Sequence, residues 1–181
     1  MTIKFINNNL EQPYVTLRNL YKKALLAKQK SIQAIAISSY NETTREISSR
    51  FVNLKFVDNG KFVFFTNYNS PKSKDFLNHS QISALIYWPV IDTQIRLKAK
   101  IRKTSKVFNR KYFLSRPNEK NALAISSNQS EEIQTFQEVH NKYKHTLKTK
   151  NLSECPDHWG GFIFKPYQIE FWKGDKHRLN K

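Results

Sequence analysis

Hydrophobic positions along this chain change period several times, and each change marks an element. Between 48 and 64 apolar residues alternate, through Val52, Leu54 and Phe56 and again through Phe62 and Phe64. Asp58-Asn59-Gly60 separates the two runs, so the pattern predicts two antiparallel strands and a tight hairpin. Ser70-Pro71 then suits the N-cap and first position of a short helix. Upstream, Leu17, Leu20, Tyr21, Ala24 and Leu25 recur at helical spacing, predicting a helix over 16–28 with Thr16 as its cap. The Ile-rich stretch 31–39 reads as a buried strand, and 41–46 as a polar connection into the hairpin. Downstream, 82–88 is another buried strand, stopped by Pro89. Residues 94–102 alternate most regularly, with Ile95, Leu97, Ala99 and Ile101 on one face and Gln94, Arg96, Lys98, Lys100 and Arg102 on the other.

From Ser105 the period becomes helical. Val107, Phe108, Lys111, Tyr112 and Ser115 predict a helix ending before Pro117, followed by a second over 118–125. Tyr112 and Arg116 share one face of the first. Ser130-Glu131-Glu132 reads as the capped start of a third helix, with Ile133, Phe136, His140, Tyr143 and Leu147 as its apolar stripe. A polar linker, 148–157, leads to 158–174, which predicts two strands with a turn at Pro166. Strands at both ends with helices between them imply a mainly β fold with flanking helices, an antiparallel barrel or sheet. With 181 residues and no internal repeat, the chain is expected to form a single domain over 1–181.

Composition adds limits. A hydrophobic share of 39% with 13% aromatics belongs to a folded protein. No apolar run has the ~18 residues of a membrane span, and no apolar leader opens the chain. Cys155 is alone, which excludes an intrachain disulfide framework and fits a reducing cytoplasm. The net charge of +17 is spread along the chain rather than gathered in a tail. It is consistent with a solvated basic surface or with an anionic partner, either a phosphorylated small molecule or nucleic acid. The nucleic-acid reading rests on charge alone, because the aromatics read as strand core rather than as an exposed stacking row.

Signature motifs of hydrolases, P-loop enzymes, zinc proteases and dinucleotide-binding folds are absent. His140 and His145 lack neighbouring Cys or acid ligands, and no metal is expected. What remains is a distributed set: Arg50, Lys55, Thr66, Lys72, Gln94, Tyr112, Arg116, Trp172 and Arg178. These are phosphate-binding and ring-stacking types with no evident general base, as in enzymes whose cofactor carries the chemistry. Arg50 and Lys55 are five apart, so a regular strand would turn them to opposite faces.

SSRFVNLK (48–55), FVFFTNYNSPK (62–72), YWPVIDTQIR (87–96), YFLSRP (112–117), HWGG (158–161) and IEFWKGDKHRL (169–179) occur in that order. Together they resemble the pyridoxamine 5′-phosphate oxidase family over roughly residues 14–179. The resemblance implies an antiparallel FMN-binding split β-barrel, working as a homodimer with flavin at the subunit interface. By motif match Arg50, Val52, Phe65, Thr66, Lys72, Gln94, Gln129, Ser130 and Trp172 are implied FMN-binding residues. Lys55, Tyr112, Arg116 and Arg178 are implied to hold the phosphate and ring of a phosphorylated B6 vitamer, with Arg178 as the catalytic residue over the substrate ring. The implied reaction oxidises pyridoxamine or pyridoxine 5′-phosphate to pyridoxal 5′-phosphate, with oxygen as final acceptor.

Departures from the family pattern lie mainly on the substrate side. Lys120 stands where the family usually has a phosphate-binding serine, Asn180 where it has a histidine, and Pro71 where a basic residue is commoner. The family's final arginine falls beyond Lys181. The alternatives are therefore a diverged FMN-dependent oxidoreductase acting on another substrate, or a flavin- or pyridoxal-phosphate-binding protein with little turnover.

Overall fold

The computed structural model describes residues 2–127, 129, 132–175, 177 and 179. Ser130 and Glu131, the expected helix start, lie outside the described residues, as do Arg178 and Asn180. Among the described residues there are seven strands: β1 Lys4–Ile6, β2 Ala34–Asn41, β3 Glu46–Asp58, β4 Lys61–Asn67, β5 Gln81–Trp88, β6 Thr93–Lys103 and β7 Trp159–Lys173. The helices are α1 Gln12–Leu26, α2 Pro71–Asn78, α3 Lys106–Leu114, α4 Asn118–Ser126 and α5 Phe136–Thr149. The chain divides into two compact units, and β4, α2, β6 and β7 run from one into the other.

The first unit holds residues 1–64, 75–102 and 163–181. Its strands follow the order β3-β2-β5-β6-β7-β4, and β4 pairs back onto β3, closing a six-stranded antiparallel barrel. This is the split-barrel architecture expected from the sequence. Asn59 and Gly60 both take positive φ, 44° and 76°, so the hairpin turn is of the type whose twist matches its strands. Gly60 is also needed for space, since a Cβ there would meet the Tyr14 ring at 2.6 Å. The barrel interior comes from alternate residues: Ile35 and Ile37 on β2, Ile82, Ala84, Ile86 and Trp88 on β5, and Ile95, Leu97, Ala99 and Ile101 on β6. Phe62 and Phe164 stack at 5.1 Å inside it. Each buried aromatic contributes about 2–3 kcal/mol through the area it removes from water. α1 packs through Tyr14, Leu17, Tyr21 and Ala24, and Tyr21 lies against Trp88 with ring centroids 5.9 Å apart.

The second unit holds residues 65–74 and 103–162. Ser105 caps α3 by accepting the Phe108 N–H at 3.2 Å. Asn121 ties α4 to its surroundings, donating to the carbonyls of Phe113 and Leu152 at 3.0 and 2.9 Å. Gly160 gives up its side chain to let Tyr68 and Asn109 close in, since a Cβ would collide with the Tyr68 hydroxyl and the Asn109 amide.

Several expectations change. α1 begins at Gln12 rather than at Thr16, because Pro13 supplies a ready first turn. α5 begins at Phe136, with Thr135 as its cap. Its inward stripe is Val139, Tyr143, Thr146 and Leu147, while Ile133, Phe136 and His140 are exposed. β7 runs through Pro166 without a turn, since a strand can give up one donor where its neighbours do not need it. β1, a parallel addition to β3, has no local signal and was not expected.

Candidate active site

In the first unit, β2 and β3 pair antiparallel, with Ile37 opposite Arg50 and Ile35 opposite Val52. Arg50 and Val52 therefore lie on the face of β3 that alternates with Leu54 into the barrel, while Phe51 between them is 76% exposed. Beyond Leu54 the ladder slips: Leu54 faces Phe64, but Phe56 faces Val63. Lys55 is the extra residue of a β-bulge, and Leu54 and Val57, three apart, are both buried. The five-residue spacing therefore does not place Arg50 and Lys55 on opposite faces, because the alternation on which that reading depended stops at Lys55.

Arg50 Nη1 donates to Ser39 Oγ at 2.7 Å. Burial pulls its guanidinium pKa downward, and the charge of Asp75 pushes it back up. On the outer face of the barrel, Gln94 is opposite Tyr87. The Arg96–Glu170 ion pair at 2.8 Å and the Gly174 N–H to Asp92 carbonyl bond at 2.9 Å set one register between β6 and β7. That register puts Trp172 across from Gln94. Beside them is a groove of about 670 Å³ lined by Ala34, Ala36, Phe51, Leu85, Tyr87 and Gln94. Small alanines flanked by large rings make a trough suited to a flat aromatic ligand, and the volume falls in the ~300–1,000 Å³ range of small-molecule sites.

In the second unit, the T-N-x-x-S-x-K stretch folds around a buried ammonium. Lys72 is 8% exposed, and its Nζ donates to Thr66 Oγ1 at 3.2 Å and to Ser70 Oγ at 3.0 Å. Thr66 Oγ1 donates to Gln129 Oε1 at 3.2 Å, which also accepts the Asn67 N–H at 3.3 Å. Ser70, fully buried, stands just before α2 and accepts the Lys74 N–H on its carbonyl, as an N-cap does. An ammonium ringed by hydroxyls and an amide beside a helix start fits the phosphate end of a nucleotide-like ligand. The donor chemistry and the groove thus suit FMN, each within its own unit.

Tyr112 and Arg116 stand beside this stretch in the same unit. The Tyr112 ring stacks on Phe65 at 4.0 Å, and Phe65 in turn lies nearly parallel to Trp159 at 5.0 Å. Arg116 lies over Trp159 with its Cζ 4.4 Å from the ring centroid. Its Nη2 donates to the Lys120 carbonyl at 2.7 Å, whereas its Nη1 is buried with no hydrogen-bond partner among the described residues. Burial raises the Tyr112 pKa, with Arg116 opposing, and lowers that of Arg116, with Tyr112 and Cys155 opposing. A guanidinium remains charged regardless. A buried cationic donor of this kind is suited to bind an anion.

The sequence profile described as pyridoxamine 5′-phosphate oxidase matches residues 22–150. Over 175 residues the chain is 35% identical to the pyridoxine/pyridoxamine 5′-phosphate oxidase of Cytophaga hutchinsonii, covering 94% of this chain and 80% of that protein. The chain belongs to the pyridoxamine 5′-phosphate oxidase family. It is an FMN-dependent oxidoreductase of that type. Pyridoxine/pyridoxamine 5′-phosphate oxidase 1 of Hydrogenovibrio crunogenus is 31% identical over 170 residues, 93% of this chain and 78% of that one. Of solved structures, PhzG from Burkholderia lata 383, in complex with tetrahydrophenazine-1-carboxylic acid, shares the fold with a TM-score of 0.87. It is 23% identical, and the match covers 93% of this chain and 83% of PhzG.

Within this family framework, Arg50 and Val52 lie side by side on β3, Gln94 and Trp172 on one rung of β6 and β7, Thr66, Lys72 and Gln129 in one hydrogen-bonded cluster, and Phe65 with Tyr112 in one stack. Ser130 and Arg178 lie outside the described residues. Trp159, the platform beneath Arg116, lies within the HWGG motif, but nothing in the sequence signals that role. Ser39 and Asp75 sit in no motif and meet Arg50 only through the fold.

Proposed function

We propose that this protein oxidises pyridoxine or pyridoxamine 5′-phosphate to pyridoxal 5′-phosphate, using oxygen as acceptor. The observation that carries the reading is the buried, unpartnered Nη1 of Arg116. A phosphate ester supplies the acceptor it lacks, and a charge-assisted bond of that kind contributes about 1.5–3 kcal/mol. Tyr112 offers a hydroxyl kept protonated by burial, and Lys55 a further cation. Lys120 replaces the usual serine, but its backbone carbonyl, not its side chain, engages Arg116. The departure at 120 therefore leaves the arginine seated.

FMN, when bound, supplies the hydride acceptor that oxygen regenerates. Thr66, Lys72 and Gln129 are assigned to hold it, with Ser130, Arg50, Val52, Phe65, Gln94 and Trp172 as further contacts drawn from both protomers of a homodimer. The ring of Phe65 is committed to its stack, so its share of flavin contact falls to its main chain. Arg178 is assigned to orient the substrate ring. Fixing the vitamer by its phosphate turns the encounter into an intramolecular geometry, the source of much enzymic acceleration. The exposed apolar side chains of Phe51 and Tyr87 support the dimer, since their groove lies on the outer barrel face.

The test compares pyridoxine 5′-phosphate with pyridoxine in an oxygen electrode, alongside formation of pyridoxal 5′-phosphate. Flavin-loaded protein should turn over the phosphorylated vitamer and scarcely touch the free one. Equal use of both, or no turnover of the phosphorylated one, would falsify the reading.

A further inference from the structure

The barrel end that carries Arg50 holds three polar side chains to which no role has been given. Ser39 is 2% exposed and Asp75 5%. Asp75 accepts the Ser39 hydroxyl on Oδ2 at 2.6 Å and the Asn41 amide on Oδ1 at 3.1 Å. Ser39 Oγ in turn accepts from Arg50 Nη1 at 2.7 Å. A carboxylate only accepts and a hydroxyl has one proton, so the direction of this relay is set: Arg50 to Ser39 to Asp75. Asn41 is itself held, its Oδ1 accepting the N–H groups of Thr43 and Thr44 at 2.9 and 3.0 Å. The β2–β3 turn thus fixes an amide, the amide and a serine fix a carboxylate, and that serine fixes one nitrogen of the arginine.

Burying a carboxylate here has a cost. Well-packed apolar residues usually serve stability as well as a buried ionic group does. A negative charge near an arginine assigned to FMN also opposes that anionic cofactor electrostatically. What the relay supplies is orientation, because a long side chain pinned at one nitrogen presents the rest of its planar fork in one direction.

We propose that Ser39 and Asp75 are positioning residues that hold Arg50 Nη1 and thereby aim its remaining guanidinium donors at the phosphate of FMN. This rests on the assignment of Arg50 to the flavin. Asp75 acts through Ser39, and neither residue touches the ligand.

Flavin fluorescence quenching gives the affinities for FMN and for riboflavin, which lacks the phosphate. Ser39→Ala and Asp75→Asn should each weaken FMN roughly tenfold and leave riboflavin unchanged. The double variant should be no weaker than Ser39→Ala alone, since both changes cut one relay. Ser39→Thr keeps the hydroxyl and should retain FMN affinity; if Asp75→Asn fails to fold, the Ala and Thr variants at 39 carry the comparison by themselves. Tighter FMN binding by Asp75→Asn would show that its charge outweighs its positioning, and the proposal would fall. Equal losses for FMN and riboflavin would reduce the relay to a barrel support and overturn it too. Wild-type protein that ignores FMN altogether would sink the flavin assignment itself, a result separable from the others.

Discussion

Arg116 carries a charge into surroundings made mostly of rings. Its face lies on Trp159 at 4.4 Å, one edge is tied to a main-chain carbonyl, and Nη1 has no acceptor among the described residues. A lysine at this position cannot reproduce that arrangement, because an ammonium neither stacks flat nor presents a fork. Arg116→Lys should raise KM for pyridoxine 5′-phosphate about tenfold, and Arg116→Leu about a hundredfold, with kcat changed much less. Steady-state oxygen consumption decides the matter. A fall in kcat at constant KM would place Arg116 in the chemical step rather than in binding.

At the scale of elements, the Gly160 position of β7 sets how closely Tyr68 and Asn109 approach. Tyr68 donates to the Gly161 carbonyl at 2.9 Å and accepts from Asn109 at 3.0 Å. Gly160→Ala should push both away and destabilise the protein by about 1–3 kcal/mol, read as a lower urea midpoint. An unchanged midpoint would mean that the neighbours yield freely. The same elements show what a chain reveals about itself. The Asp58-Asn59-Gly60 turn and the alternation of β6 were legible because a local turn type and a period of two are written in adjacent residues. The start of α5 was not: Ser130-Glu131-Glu132 reads as a cap, whereas the helix begins at Phe136 with Thr135 capping it and Val139 and Tyr143 turned inward. Nor was the bulge at Lys55, which shows only where β3 meets β4. Within the site, Thr66, Ser70 and Lys72 stood in one short motif. Asp75 met Ser39 across 36 residues, a separation that no pattern records.

For the whole molecule, the outer barrel face must be weighed against the net charge. Two copies of a +17 chain repel one another, yet Phe51, Leu85 and Tyr87 offer apolar area to bury. If that area wins, the proposed homodimer tightens as salt screens the repulsion over the ~10 Å Debye length at 0.1 M. Phe51→Lys should yield monomers by light scattering and weaken FMN binding with it; a Phe51→Lys dimer would place the interface elsewhere. Alkali should also weaken the fold. Burial raises the pKa values of Tyr14, Tyr68 and Tyr112 above 10.0, and that of Cys155 above 9.0. The folded state thus keeps these protons longer than the unfolded chain does. Their stabilising contribution is complete below pH 9 and is lost as pH rises through the raised values. The thermal midpoint should fall as pH rises above 9, and a level profile would contradict the burial of these groups.

Position 120 illustrates how such a protein can change over time. Arg116 is seated by the carbonyl of residue 120, a group every amino acid possesses. The side chain there can vary across generations without unseating the arginine. The side chain at 120 is therefore open to drift, while Arg116, four residues before it, keeps its place. New ligand preferences can be sampled at this position one substitution at a time, each in a protein that still folds.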